Sequence, residues 1–164
     1  TDECGMGFIV EGQDFCCGYK GAFKMNELAS FCKPLGIECL CKEDVLFEGE
    51  RISSSRIRYA VHQADFATAS KMMGRSFSYD CTSLEWKEEN GFYSACTFSR
   101  QVLPKDGKYD VIVKLTATAE DSVELNAVAL NTLHTGCLVE KGKIMLFLPT
   151  LAFACRVKEI IFKE

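Results

Sequence analysis

The sequence predicts a fragment of an open α/β sheet, residues 1–76, followed by a small antiparallel β-barrel, residues 77–164. Three observations lead there. Up to about residue 76 short apolar runs alternate with segments of helical period. Beyond it, short strand-like runs dominate, separated by glycine or charged turns. The chain's 164 residues are 48% apolar, enough to bury a real core in one ordinary domain or two small ones.

In the first part, Gly7 to Val10 is a short apolar run ending in Glu-Gly-Gln-Asp, as a buried parallel strand ends at the rim of a sheet. The loop DFCCGYKG follows. Met25, Leu28, Ala29 and Cys32 recur at helical spacing, and the helix they predict stops at Pro34 and Gly36. Ile37 to Cys41 and Val45 to Phe47 read as extended. A second helix starts at Ser54 or Ser55, with Ile57, Ala60, Val61 and Ala64 on one face. Asp65 is placed to cap a third, carrying Phe66, Ala69, Met72 and Met73 before Gly74. In the second part the predicted strands are Phe77 to Cys81, Phe92 to Phe98, Tyr109 to Leu115, Val123 to Leu130, Lys143 to Leu148 and Cys155 to Phe162. Pro104-Lys105-Asp106-Gly107 has the chemistry of a tight turn.

Bulk properties narrow the function. Nineteen basic against 23 acidic residues, a net charge of −4, argue against a surface dedicated to nucleic acid or acidic lipid. No apolar run approaches the roughly 18–20 residues that span a bilayer, and the N-terminus lacks the layout of a signal peptide. The expectation is a soluble, cytoplasmic protein, with any anion site on it a local one. The ten cysteines include no Cys-x-x-Cys pair, so zinc-ribbon and thioredoxin-type spacings are absent. Cys32, Cys39, Cys96 and Cys155 fall in apolar segments, where a thiol acts as a small hydrophobe, and most of the ten are expected to be buried and free.

The stretch GERISSSRIRYAV places Ser53, Ser54 and Ser55 and then Arg56 and Arg58 at a predicted helix start. Free backbone N–H groups and the positive end of the helix dipole attract anions there, hydroxyls add short donors, and a guanidinium forks onto phosphate oxygens. One reading is a phosphate site. The other is that Ser54 or Ser55 caps the helix while the arginines lie solvated.

The order Gly-Gln-Asp-Phe at 12–15, Gly18, Gly21, a helix, an extended segment and then Ile52-Ser53-Ser54-Ser55-Arg56-Ile57-Arg58 resembles the bacterial bifunctional riboflavin kinase/FAD synthetase family. That family carries a V-x-G-x-D-F-R-F-G loop and, at matching distance, an I-S-S-T/S-x-I-R motif ahead of a helix. Gly74-Arg75-Ser76-Phe77-Ser78 is similar to its L-G-R-x-Y-x link into a second domain, and Leu103-Pro104-Lys105-Asp106-Gly107-Lys108-Tyr109 to its L-P-x-D-G-x-Y barrel turn. The resemblance implies a Rossmann-like nucleotidyltransferase sheet, a riboflavin kinase-like barrel, and FMN adenylyltransferase activity using ATP, Mg²⁺ and FMN to make FAD and pyrophosphate. It also implies site residues. Ser53, Ser54 and Ser55 would hold the ATP phosphates, and Arg58 would neutralise charge on the leaving pyrophosphate. Gly12 and Gly18 would let backbone approach the nucleotide, with Phe15 beside it and Asp14 ordering the loop. Turn glycines and a strand-ending Asp14 are the plainer readings of the same residues.

The family's G-x-F-D-G-x-H-x-G-H motif is absent, and His62 and His134 stand in no such context. The chain is therefore expected to start at about the family's fourth parallel strand, to be inactive alone, and to have its N-terminal half as partner. The kinase G-F-P-T-A-N segment is missing as well, and Glu85 to Phe98 occupies its place. Glu124 is either a catalytic carboxylate or a solvent-facing strand residue. Riboflavin kinase activity is not expected. A non-catalytic flavin- or nucleotide-binding module is the alternative.

Overall fold

A computed structural model describes residues 5–89, 91–97, 101–117, 132–148 and 155–164. The chain divides into two compact units, Thr1–Ile52 and Ser53–Glu164. The second and third helices thus belong with the strands that follow them, where the sequence groups them with the segments before.

In the first unit β1 (Phe8–Gly12) leads through β2 (Cys16–Cys17) and β3 (Phe23–Lys24) into α1 (Met25–Cys32). Glu27 reaches back to accept the Lys24 N–H at 3.0 Å, satisfying a donor that the first turn leaves free. Cys32 and Met25 are buried on the predicted face. A 3₁₀ turn, Lys33–Leu35, ends at Gly36 in the left-handed region (φ 70°), a conformation glycine adopts without a Cβ penalty. The chain then enters β4 (Glu38–Lys42), which pairs parallel with β1, Ile9 opposite Cys39. β5 (Leu46–Phe47) and β6 (Glu50–Arg51) form a hairpin whose two turn residues, Glu48 and Gly49, both have positive φ, as a type I′ turn requires.

The expected Rossmann-like sheet does not form. Parallel pairing among the described residues is confined to β1 and β4, while β2–β3 and β5–β6 are separate antiparallel pairs. Val45 to Phe47 turns back in a hairpin instead of extending the sheet. Phe8 and Val10, apolar enough to read as a strand covered on both faces, are 64% and 45% exposed. Strand structure dominates the described residues, which include three short α-helices.

The second unit begins with α2 (Ser54–His62) and α3 (Phe66–Met73). Between them Ala64 takes a left-handed φ of 61°, and Asp65 N–H donates to Ala60 O at 2.9 Å, closing α2 as a Schellman-type end. Asp65 then caps α3 by accepting the Thr68 N–H at 3.1 Å, as the sequence predicts. The strands β7 (Ser78–Asp80), β8 (Lys87–Glu89), β9 (Phe92–Cys96), β10 (Gly107–Ala117), β11 (Thr132–Glu140), β12 (Lys143–Leu146) and β13 (Cys155–Phe162) make one antiparallel sheet in the order β7-β13-β10-β11-β12-β9-β8. Its inner residues, Tyr79, Val111, Val113, Val139, Ile144, Leu146 and Ile160, form one buried cluster although they come from across the sheet. A sheet does this only by curling on itself. The result is a seven-stranded half-barrel in place of the six-stranded barrel expected: its end strands β7 and β8 do not pair among the described residues. The expected strand Val123 to Leu130, with Glu124, lies outside the described residues.

Phe66 fixes α3 to this sheet. Its ring lies 5.0 Å from Phe162, 5.6 Å from Tyr109 and 5.9 Å from Phe77. Lys105 N–H donates to His62 O at 2.9 Å, tying the end of α2 to the turn before β10.

The cysteines divide differently from expectation. Cys32, Cys81 and Cys137 are buried, Cys17 and Cys39 are half-buried, and Cys16, Cys41 and Cys96 are exposed. Burial pushes the Cys81 and Cys137 thiols up to about 12. Alkylation with iodoacetamide at pH 8, read by peptide mass spectrometry, is therefore expected to modify Cys16, Cys41 and Cys96 while native protein spares Cys81 and Cys137. Rapid modification of the latter pair before unfolding contradicts their placement.

Candidate functional site

Ser53, the residue before α2, has extended backbone (φ −140°, ψ 157°), and its hydroxyl accepts the Arg56 N–H at 3.2 Å. Ser53 is thus the cap, the role the sequence allots to Ser54 or Ser55. That assignment frees the next two serines. Ser54 and Ser55 occupy the first turn, exposed, and neither hydroxyl bonds to a described residue. Their backbone N–H groups point out of the helix start with no intrahelical acceptor.

Arg58 is exposed, four residues after Ser54 and three after Ser55. Side chains lean toward a helix's N-terminus, so a guanidinium at this position covers the opening turn. Arg56 is partly buried and engaged with other groups, which makes it a poorer candidate. The turn therefore offers two hydroxyl donors, two backbone donors and one planar cation to an anion. Ala60 and Val61, only 6% and 2% exposed, are the positions by which α2 is buried.

The remaining predicted residues lie in the first unit. Phe15 N–H donates to Gly12 O at 3.2 Å, so residues 12–15 form a tight turn at the end of β1. A Cβ at Gly12 would lie 3.1 Å from Asp14 Oδ1, and Gly18 has φ 76°, so both glycines have local reasons to be there. Asp14 pairs with Arg51, whose Nη2 is 2.8 Å from Asp14 Oδ2 while its Nε meets Asp44 Oδ1 at 3.0 Å. Arg51 is a residue the sequence does not single out, because its partner is set by the β5–β6 hairpin.

The Arg51 hydrogen bond, with its charge, holds the Asp14 carboxyl below the ordinary 3.8. A carboxylate depressed in the fold contributes stability above its unfolded pKa and loses it as pH falls through the folded one. An NMR titration is expected to find Asp14 ionising below 3.8 and Arg51→Gln returning it toward that value. An unchanged titration in the variant removes Arg51 as the cause.

His62 closes α2 and His134 lies on β11, both exposed. No group of three or more His, Cys, Asp or Glu side chains is placed to hold a metal ion among the described residues. No helix among them is long and apolar enough to cross a membrane.

No family model matches the chain, and no curated protein matches it. Among solved structures, a macrolide-efflux protein from Streptococcus pneumoniae superposes with a TM-score of 0.67 at 19% identity, over 95% of this chain and 49% of that one. The chain thus spans about half the length of this neighbour. At that identity the likeness is one of fold alone. It assigns the chain to this strand-rich architecture and not to a Rossmann-like nucleotidyltransferase sheet.

Proposed function

We propose that the opening turn of α2 binds the phosphates of ATP, and that the chain contributes this site to an FMN adenylyltransferase. The supporting observation is that Ser53 takes the cap, leaving Ser54, Ser55 and Arg58 exposed and uncommitted on one turn. The reaction itself comes from the resemblance of the Ile52–Arg58 and Gly12–Phe15 motifs to riboflavin kinase/FAD synthetases.

In that reaction a phosphate oxygen of FMN attacks the α-phosphorus of ATP. The bond from the α-phosphorus to the bridging oxygen breaks, and pyrophosphate leaves with the electron pair. No protein nucleophile is needed, so catalysis is positioning plus stabilisation of charge on the leaving group. Ser54 and Ser55 donate to phosphate oxygens, their backbone N–H groups add fixed dipoles, and Arg58 meets the charge that grows on pyrophosphate. Mg²⁺ carried by the nucleotide would share that charge.

Two measurements test this. ATP added to the chain is expected to shift the amide signals of Ser54 and Ser55 saturably, and the complete gene product is expected to convert FMN and MgATP to FAD. Amides that do not respond refute the site. Response without FAD formation refutes the reaction and leaves the non-catalytic nucleotide-binding module.

A further inference from the structure

An open sheet has two end strands, and each presents N–H and C=O groups with which a further strand can pair. In the half-barrel these are β7 and β8. β8 is Lys-Glu-Glu, charged and exposed at every position, and an added strand would have to cover those charges. β7 has no such protection. Ser78-Tyr79-Asp80 carries one charge, and Tyr79 is fully buried in the core.

The pairing of β7 with β13 fixes which of its groups face outward. Phe162 N–H donates to Phe77 O at 3.1 Å and Cys81 N–H to Lys158 O at 2.8 Å, so residues 77 and 81 bond inward. By the alternation of an antiparallel ladder, the main-chain groups of Ser78 and Asp80 then face away from β13. At Asp80 that outward pair is already met. Its N–H donates to Gln101 Oε1 at 2.8 Å, and its C=O accepts from Gln101 Nε2 at 3.0 Å. One side-chain amide thus makes both bonds that a residue of a neighbouring antiparallel strand exchanges with its partner. Gln101 comes from 21 residues further along the chain, in the connection from β9 to β10. That connection is itself tied down: Lys105 N–H donates to His62 O at 2.9 Å, and the Tyr109 hydroxyl donates to Lys105 O at 2.6 Å. The Asp80 carboxylate is occupied with Thr82, accepting its N–H at 2.9 Å and its hydroxyl at 2.8 Å, and does not compete for the amide.

We infer that Gln101 is a latch that ends the sheet at β7, and that releasing it opens this edge to β7 of a second copy of the chain. The edge is self-complementary. When two copies pair antiparallel about a two-fold axis at Tyr79, Ser78 of each stands opposite Asp80 of the other. Both sets of outward groups are then met, and the two carboxylates do not oppose each other. An isologous pair of this kind closes at two copies.

Hydrogen exchange of the full chain reads the latch without any substitution: the Asp80 N–H is expected to be protected on the order of 5-fold or more over that of Ser78, the other outward-facing donor of β7. Gln101→Ala removes both bonds and Gln101→Glu replaces the donor by a second acceptor. Each is expected to bring Asp80 protection down to the Ser78 level. Sedimentation velocity is expected to show dimers of both variants at concentrations on the order of 10-fold below any at which wild type dimerises. Ser78→Pro deletes an outward N–H and is tolerated on an edge strand, so adding it to Gln101→Ala is expected to restore wild-type behaviour. Circular dichroism establishes that each variant folds. Equal protection of Asp80 and Ser78 in wild type, Gln101 variants that associate no more than wild type, open-ended aggregates in place of dimers, or association that Ser78→Pro does not reverse overturns the inference.

Discussion

Arg58→Ala is expected to lower FAD formation by the complete gene product on the order of 10²-fold or more, the loss usual when one donor to developing negative charge is removed. The size follows from where the charge appears. In the proposed reaction Mg²⁺ would already stabilise ground-state ATP, so Arg58 would act on the additional charge that collects on pyrophosphate as the α-phosphorus bond breaks. The loss should therefore fall mainly on kcat. Arg58→Lys keeps the charge and loses the planar fork, and is expected to recover only part of the rate. Ser54→Ala and Ser55→Ala each remove a neutral donor while the backbone N–H groups remain, so each costs less than the arginine. Ser53→Ala acts by another route: it deletes the cap on the Arg56 N–H, destabilising the helix start by about 0.5–2 kcal/mol. Turnover unchanged by Arg58→Ala rejects the assigned role, and a pure rise in KM reduces it to ground-state binding.

The local features that place these residues were legible because short-range chemistry sets them. The spacing of Met25, Leu28, Ala29 and Cys32 gives α1, and Asp65 ahead of Phe66 gives the cap of α3. The serine-rich start of α2 is visible for the same reason. What failed was the step from elements to sheets. Val45 to Phe47 has a strand's composition, but Glu48 and Gly49 fold it onto Glu50–Arg51, and partner choice is not written in an apolar run. β11 was missed because TLHTGCLVE carries a glycine and a histidine; its order comes from pairing on both sides, Cys137 opposite Tyr109 on β10 and Leu146 on β12. β8 is Lys-Glu-Glu, an edge strand with no apolar alternation to read. The Gln101–Asp80 latch was hidden likewise, since it joins residues 21 apart in sequence at the end of the sheet.

Phe66→Ala is expected to destabilise the second unit by about 3–5 kcal/mol, the range for deleting a buried phenyl ring from a packed core. Phe66 is 5% exposed and its ring meets Phe77, Tyr109 and Phe162, so no small shift of one neighbour fills the space left behind. A domain stable by about 5–15 kcal/mol loses a large fraction of its margin, and the urea midpoint should fall by roughly 1–3 M. The same ring anchors α3, and α3 follows α2 after a three-residue connection, Gln63 to Asp65. Loosening it releases the helix whose opening turn carries Ser54, Ser55 and Arg58, so ATP affinity should fall although Phe66 takes no part in phosphate binding. Phe66→Leu separates the two effects: it retains much of the apolar volume, losing ring stacking, and is expected to keep most of the affinity at a smaller loss of stability. Should Phe66→Ala cost less than about 1 kcal/mol, surface substitutions would be its peers, and the ring could not be what fixes these helices to the half-barrel.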